Sequence, residues 1–306
     1  PDSENGDFMI RANRSSNTVS FGEPTSRRSV LQGMAGAAGV AAGLVALATS
    51  APTSNAQEDT AMTDGTPVAN AAPTVVLVHG AFADASSWNG VVERLLAAGV
   101  PVVAPANPLR GIAHDSAYIA SAISQIPGPV LAVGHSYGGA VITNAAAGAD
   151  NVVGLVFVAA FAPEVGETLL QIEGGSRDSV LTTALVELRY PTGQGVETAV
   201  EFAISAEKFH EAFAADVPVD QAAVMQATQR PAAQACFAEP TTAAAWKDLP
   251  SWAVVASGDY AAGSDVVRSM AERAGATTTE VEGSHVIMVS QPQVVVDAIM
   301  SAIEAV

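Results

Sequence analysis

From Thr74 onward the chain alternates short, wholly apolar runs with longer stretches whose apolar residues recur at helical spacing. Thr74-Val-Val-Leu-Val78 has no polar alternation, which is the pattern of a strand buried on both faces of a parallel sheet. Pro101–Ala104, Pro129–Val133 and Val152–Ala160 read as three further strands. Between them the pattern predicts helices over Ser86–Ala98, from Asp115 onward, and over Tyr137–Ala147. Ser86 or Ser87 is placed to cap the first and Gly99 to stop it, while Asp115 is placed to cap the second. Strand and helix in strict alternation predict an α/β fold, a mostly parallel sheet flanked by helices.

The cadence breaks at Pro163. Across residues 164–250 the pattern offers helix-like stretches (Arg177–Tyr190, Ala199–Ala214, Asp220–Gln229) and no convincing strand. It then resumes with strand Trp252–Ala256, helix Asp265–Ala274, strand Thr277–Val281 and helix Pro292–Ala305. The segment 164–250 is therefore expected to be a helical cap inserted between two core strands of one domain, 74–306. Residues 57–73 form a polar segment before it.

The first 56 residues have a different character. Ser26-Arg27-Arg28-Ser29-Val30-Leu31-Gln32 precedes Gly33–Ala48, an uncharged run of small and apolar residues. That run is short and mild for a membrane span. A paired arginine, a weakly apolar run and small residues beyond it resemble a twin-arginine export signal. Cleavage is expected after Ala56, with Ala46-Leu47-Ala48 as the other small-residue site. The expected partner is then the twin-arginine translocation machinery, and the expected destination is the periplasm or the medium, without a stable membrane anchor.

Composition narrows the partners. The 306 residues are 49% hydrophobic and 14% charged, with a net charge of −18. Residues 1–56 carry four basic and four acidic side chains, so this charge belongs to the remainder. A surface so acidic repels nucleic-acid phosphates and anionic lipid. The single cysteine, Cys236, excludes a disulfide scaffold and reads as a small buried hydrophobe.

The chemistry-bearing residues sit where predicted strands end. Gly134-His135-Ser136-Tyr137-Gly138 matches G-x-S-x-G between an apolar strand and a helix, the strand–turn–helix setting that lifts a serine hydroxyl beyond the sheet. A serine hydroxyl needs a base to become a nucleophile. Among five histidines, His285 follows the last strand in Glu282-Gly-Ser-His285, on the sheet edge where Ser136 emerges. His79, at a strand end before Gly80, is expected to shape a loop, and the side chain of His135 is expected to point away from that of Ser136. His114 lies near a helix start, and His210 lies in the cap. Asp259 ends the strand before and is expected to orient His285, in preference to Asp265, whose place at a helix start suits an N-cap. The backbone N–H groups of Tyr137 and of Ala81, with Phe82 next, are expected to receive an oxyanion.

Val76-Leu-Val-His-Gly-Ala-Phe-Ala-Asp-Ala-Ser-Ser-Trp88, the serine elbow, Gly258-Asp259 and Gly283-Ser-His285 together resemble the α/β-hydrolase superfamily, which shares the order Ser136, Asp259, His285. They are similar in particular to its branch of esterases and hydroxynitrile lyases. The resemblance spans about residues 74–306, more loosely in the cap. It implies an esterase rather than a lyase, because the lyases carry threonine where Gly80 stands and lysine where Val286 follows the histidine. It also implies a small-molecule ester as partner, no cofactor and no metal. Phe82 and Trp88 are candidate substrate-pocket residues. Phe202, Phe209, Phe213, Met225, Phe237 and Trp246 either line an apolar pocket or form the core of the cap. A hydrolase fold kept only for ligand binding, and a lyase or cofactor-free peroxidase on the same scaffold, are the competing expectations.

Overall fold

The computed structural model describes residues 72–306. The paired arginines, the cleavage site after Ala56 and most of the segment 57–73 lie outside the described residues.

The core is a six-stranded parallel sheet in the order β2-β1-β3-β4-β8-β9. Its first four strands are β1 (Thr74–Val78), β2 (Val102–Val103), β3 (Val130–His135) and β4 (Val152–Val158). Between them run α1 (Asn89–Ala97), α2 (Ile112–Ser124) and α3 (Tyr137–Ala145). From β1 the chain steps outward to β2, then crosses back to place β3 on the other side of β1. This reversal opens a crevice at the carboxyl ends of β1 and β3, where α/β sheets carry their sites. The apolar runs explain the burial. Every residue from Val130 to Val133 is fully buried, and each such side chain contributes about 1.5–3 kcal/mol relative to exposure.

Two predicted caps are placed differently. Asp84, not Ser86 or Ser87, accepts the Ser86 N–H at the start of a short 3-10 turn, Ala85–Trp88, that leads into α1. Asp115 does not cap α2. The helix begins three residues earlier at Ile112, and Asp115 is buried inside its first turn.

The inserted segment is the main correction. It holds α4 (Leu169–Gly174), α5 (Leu181–Ala184), β5 (Leu185–Pro191), β6 (Thr198–Ile204), α6 (Phe209–Phe213), α7 (Val219–Thr228), β7 (Ala232–Ala233) and α8 (Ala235–Ala238). The helices expected over Arg177–Tyr190 and Ala199–Ala214 give way to an antiparallel sheet, β5-β6-β7, so the cap is mixed rather than helical. Pro191-Thr-Gly-Gln-Gly195 joins β5 to β6, with Gly193 at φ 80° and Gly195 at φ 64°. Two left-handed glycines between β-rich runs are a hairpin signal, and Leu185-Val-Glu-Leu-Arg-Tyr190 reads as alternation once that turn is recognised. Asp220–Gln229 does form the expected helix, α7.

The parallel sheet then finishes with β8 (Ser251–Ala256), α9 (Ser264–Arg273), β9 (Thr277–Val281), the short α10 (Ile287–Ser290) and α11 (Pro292–Ala305). Among the described residues no helix is long and apolar enough to cross a membrane.

Candidate active site

Ser136 lies between the last residue of β3 and the first of α3, at φ 53° and ψ −125°. A non-glycine residue held there is strained, and the flanking glycines make the turn sterically feasible. A Cβ on Gly134 would stand 2.6 Å from the backbone of Gly138. The Ser136 carbonyl accepts from Gly139 N (2.9 Å) and Phe161 N (3.2 Å), which braces the turn against α3 and the chain beyond β4.

His285 and Asp259 meet as expected. His285 Nδ1 lies 2.8 Å from Asp259 Oδ2, and both residues are about 1% exposed. The other carboxylate oxygen, Oδ1, accepts from Ala261 N (3.0 Å) and Ala262 N (2.9 Å). The carboxylate can only accept, and the amides hold it in place through Oδ1, so Oδ2 fixes the proton of His285 on Nδ1 and leaves Nε2 bare. Neither Nε2 nor Ser136 Oγ has a hydrogen-bond partner among the described residues. In ligand-free sites such bonds are commonly open and tighten when substrate binds.

Asp265 has another task. It is the second residue of α9, and it accepts from Ser176 Oγ (2.6 Å) and Arg177 N (2.9 Å) of the cap. Asp178 returns the contact to Ser264 Oγ and Asp265 N, and Val180 N donates to Tyr260 O. Ser284, beside His285, donates to Asp216 of the cap. The cap is thus pinned to both loops that carry the Asp259–His285 pair.

Two histidines that adjoin the motifs support the site. His135, fully buried, is 3.0 Å from the His285 carbonyl through Nε2, and its ring centroid lies 4.7 Å from that of His285. Burial keeps its imidazole neutral, far below the ordinary range. His79 accepts the Asn107 N–H at Nε2 (2.9 Å), so its Nδ1 carries the proton and donates to the Gly80 carbonyl (2.9 Å). Burial pushes its pKa down to about 4, consistent with a neutral ring. That bond fixes the plane of the Gly80–Ala81 peptide, and in a trans peptide the Ala81 N–H points opposite to the clamped carbonyl. A Cβ on Gly80 would stand 2.7 Å from Ser136 Cβ, so the loop reaches the serine only because glycine is there.

The amides of Ala81, Phe82 and Tyr137 donate to no acceptor among the described residues. Tyr137 opens α3, where unpaired N–H groups and the helix dipole favour negative charge. Phe82, at φ 60°, turns its ring onto Phe237 (stacked, 6.0 Å) and Phe213 (edge-on, 6.3 Å), and Phe213 lies 5.1 Å from the His285 ring. These aromatics wall the site on the cap side. A cleft of about 200 Å³ beside them is lined by Phe82, Asp84, Ser87, Met225, Thr228 and Val289. Trp88 does not face it: fully buried, it packs edge-on against His135 at 6.3 Å. Trp246 is likewise structural, its indole N–H bonded to the Pro163 carbonyl. Phe209 is buried against Phe213.

The sequence pattern carried no sign of Glu173. This α4 residue is 7% exposed and its Oε1 has no partner. Burial, reinforced by the charge of Asp259, pushes its carboxyl up to about 8. Cys236 is buried and its thiol is pushed up to about 12, which makes it inert. Among the described residues no group of His, Cys, Asp and Glu has the arrangement of a metal site.

Residues 75–298 match the model of the alpha/beta hydrolase family. The chain belongs to that family. Its fold is shared with polyneuridine aldehyde esterase (19% identity, TM-score 0.64, covering 75% of this chain and 98% of that one). A pyrethroid hydrolase from Sphingobium faniae JZ-2 is similar too (21% identity, TM-score 0.61, 76% and 98%). So is tomato methylketone synthase I in complex with 2-tridecanone (19% identity, TM-score 0.62, 77% and 99%). At these identities the likeness shows the fold alone. No curated protein sequence matches the chain significantly.

Proposed function

We propose that this alpha/beta hydrolase is a serine hydrolase of carboxylic esters. The observation that carries the proposal is the Asp259–His285 pair with a bare Nε2, on the sheet edge where the strained turn presents Ser136. Ser136 Oγ attacks the ester carbonyl carbon and its proton passes to His285 Nε2. The Nδ1–H···Asp259 contact already in place stabilises the imidazolium that forms. The oxyanion takes the N–H groups of Ala81 and Tyr137, each such donor being worth about 2.7–4 kcal/mol at the transition state. Collapse releases the alcohol, which takes the proton from His285, and leaves an acyl group on Ser136. His285 then deprotonates water, which attacks the acyl carbonyl; collapse breaks the bond to Ser136 Oγ, which takes the proton back from His285, and the acid is released.

Gly80 and Val286 support an ester over a cyanohydrin. No cationic side chain follows His285, and a threonine Cβ at position 80 would strike Ser136. The aromatic wall of Phe82, Phe213 and Phe237 suits an apolar substituent on the ester. Export through the twin-arginine route, as an enzyme folded before translocation, belongs to the same proposal and rests on Arg27-Arg28 and the mild run after them.

A fluorophosphonate probe and a panel of p-nitrophenyl esters of rising chain length test the activity. Wild type should label at Ser136 and turn over at least one ester, and Ser136→Ala should do neither while keeping its Tm. Turnover by Ser136→Ala within tenfold of wild type would place the reactive centre elsewhere. A folded wild type that does not label would favour a ligand-binding protein.

A further inference from the structure

The polar side chain of the residue after the nucleophile has a partner that the reaction does not use. Tyr137 is 1% exposed, and its hydroxyl donates to Asp115 Oδ2 at 2.8 Å. Asp115 is fully buried in the first turn of α2. Its carboxylate also accepts from Arg110 N (3.0 and 3.1 Å), and its Oδ1 lies 3.1 Å from His114 Nδ1. A buried carboxylate persists only when donors surround it. Of these donors, only the phenol belongs to the serine turn.

The same cluster reaches the cap. Arg110, whose backbone holds Asp115, bonds Glu201 Oε2 on β6 at 3.1 Å and lies 4.3 Å over the Tyr190 ring of β5. The neighbouring Leu109 carbonyl accepts from Ala233 N of β7. Asp115 therefore stands between the cap sheet and the first residue of α3.

We infer that Asp115 and the Tyr137 hydroxyl form a positioning pair that aims the Tyr137 N–H at the oxyanion, an inference that rests on the proposed hydrolase reading. Strain at Ser136 has to be held from both sides of the turn. On the amino side β3 is hydrogen-bonded to β1 and β4. On the carboxyl side α3 opens with two glycines after Tyr137, and the phenol–carboxylate bond ties Tyr137 itself to α2. An N–H that must stay aimed while charge grows on an oxygen is sensitive to small rotations, because donor strength falls steeply with angle. Asp115 and Tyr137 are both buried, so the pair acts by positioning and not by contact with the reacting groups.

Tyr137→Phe keeps the ring and removes only the bond. It should lower kcat about tenfold with KM within twofold, since the aim of an oxyanion donor matters in the transition state alone. Two further readouts separate aiming from mere stability. The preference for an oxo ester over its thiono analogue, whose sulfur accepts poorly, should narrow in the variant. The rate of Ser136 phosphonylation by the fluorophosphonate probe should fall alongside kcat. Asp115→Asn, which keeps an oxygen acceptor for the phenol, should retain most of the oxo preference and serves as the second variant if Tyr137→Phe does not fold; loss of that preference there would count against the pair. Unchanged kcat, oxo preference and labelling rate, with only Tm lowered, would overturn the inference and leave the hydrolase proposal standing. A wild type that fails to label at Ser136 would overturn both.

Discussion

Glu173→Gln should stabilise the protein increasingly as the pH rises. The carboxyl is 7% exposed, Oε1 has no hydrogen-bond partner, and the nearby charge of Asp259 has the same sign. Burial and then repulsion disfavour the carboxylate, so its pKa stands near 8 against an ordinary 4.5. The folded protein thus holds a proton that the unfolded chain has already released. Stability from this group is intact below about pH 4.5 and is lost progressively as the pH climbs to about 8. At ~1.36 kcal/mol per pH unit, the loss between pH 5 and pH 9 comes to about 4 kcal/mol. Glutamine carries no charge at either pH and removes that slope. With ~2–4 °C of Tm per kcal/mol for a domain of this size, the Tm gap between variant and wild type should widen by on the order of 10 °C over the range. Thermal melts of the two proteins at matched pH measure it, and the difference between them cancels every titration they share. A gap constant within about 2 °C across the range would refute the argument, because Glu173 would then ionise as freely in the fold as in water.

Asp259→Asn should lower ester turnover by about 10⁴-fold, because an amide can stabilise the wrong imidazole tautomer. Asp265→Asn should stay within tenfold of wild type, as this residue holds the cap and not His285; steady-state rates of the pair give the answer, and the reverse ranking would move the acid to Asp265. Gly80→Ala should reduce kcat at least about 10²-fold, since its methyl must displace either Ser136 or an oxyanion donor, and near-normal kinetics would show that the loop yields more easily than its packing implies. Arg27→Lys combined with Arg28→Lys should retain folded, active enzyme in the cytoplasm. Cell fractionation tests this, and undiminished export would remove the twin-arginine assignment.

Much of the sheet was determined by local pattern. Thr74–Val78 and Pro292–Ala305 have the same limits in sequence and structure, because an unbroken β-branched run and a proline-started amphipathic stretch each have one sensible conformation. The serine turn was legible for a related reason: glycine spacing and the strand–helix boundary are both local. The order of Ser136, Asp259 and His285 along the chain, each after a strand, was enough to nominate them, since parallel strands deliver their carboxyl ends to one edge.

Tertiary structure decided what depends on partners distant in the chain. The cap hairpin was hidden because Leu185–Tyr190 and Thr198–Ile204 mix helical and alternating spacing, and only pairing between them, with β7 beyond, selects strand. Asp115 illustrates the same limit at one residue. Beside a helix start an aspartate satisfies the rules of a cap, yet here the carboxylate is spent on Tyr137, 22 residues away. Trp88 carried the family's pattern but is buried beneath His135, and Glu173 carried no pattern at all. Burial and long-range hydrogen bonding are properties of what surrounds a side chain. Neighbours in sequence set a residue's backbone, but the elements that pack on it set its charge, its partner and its task.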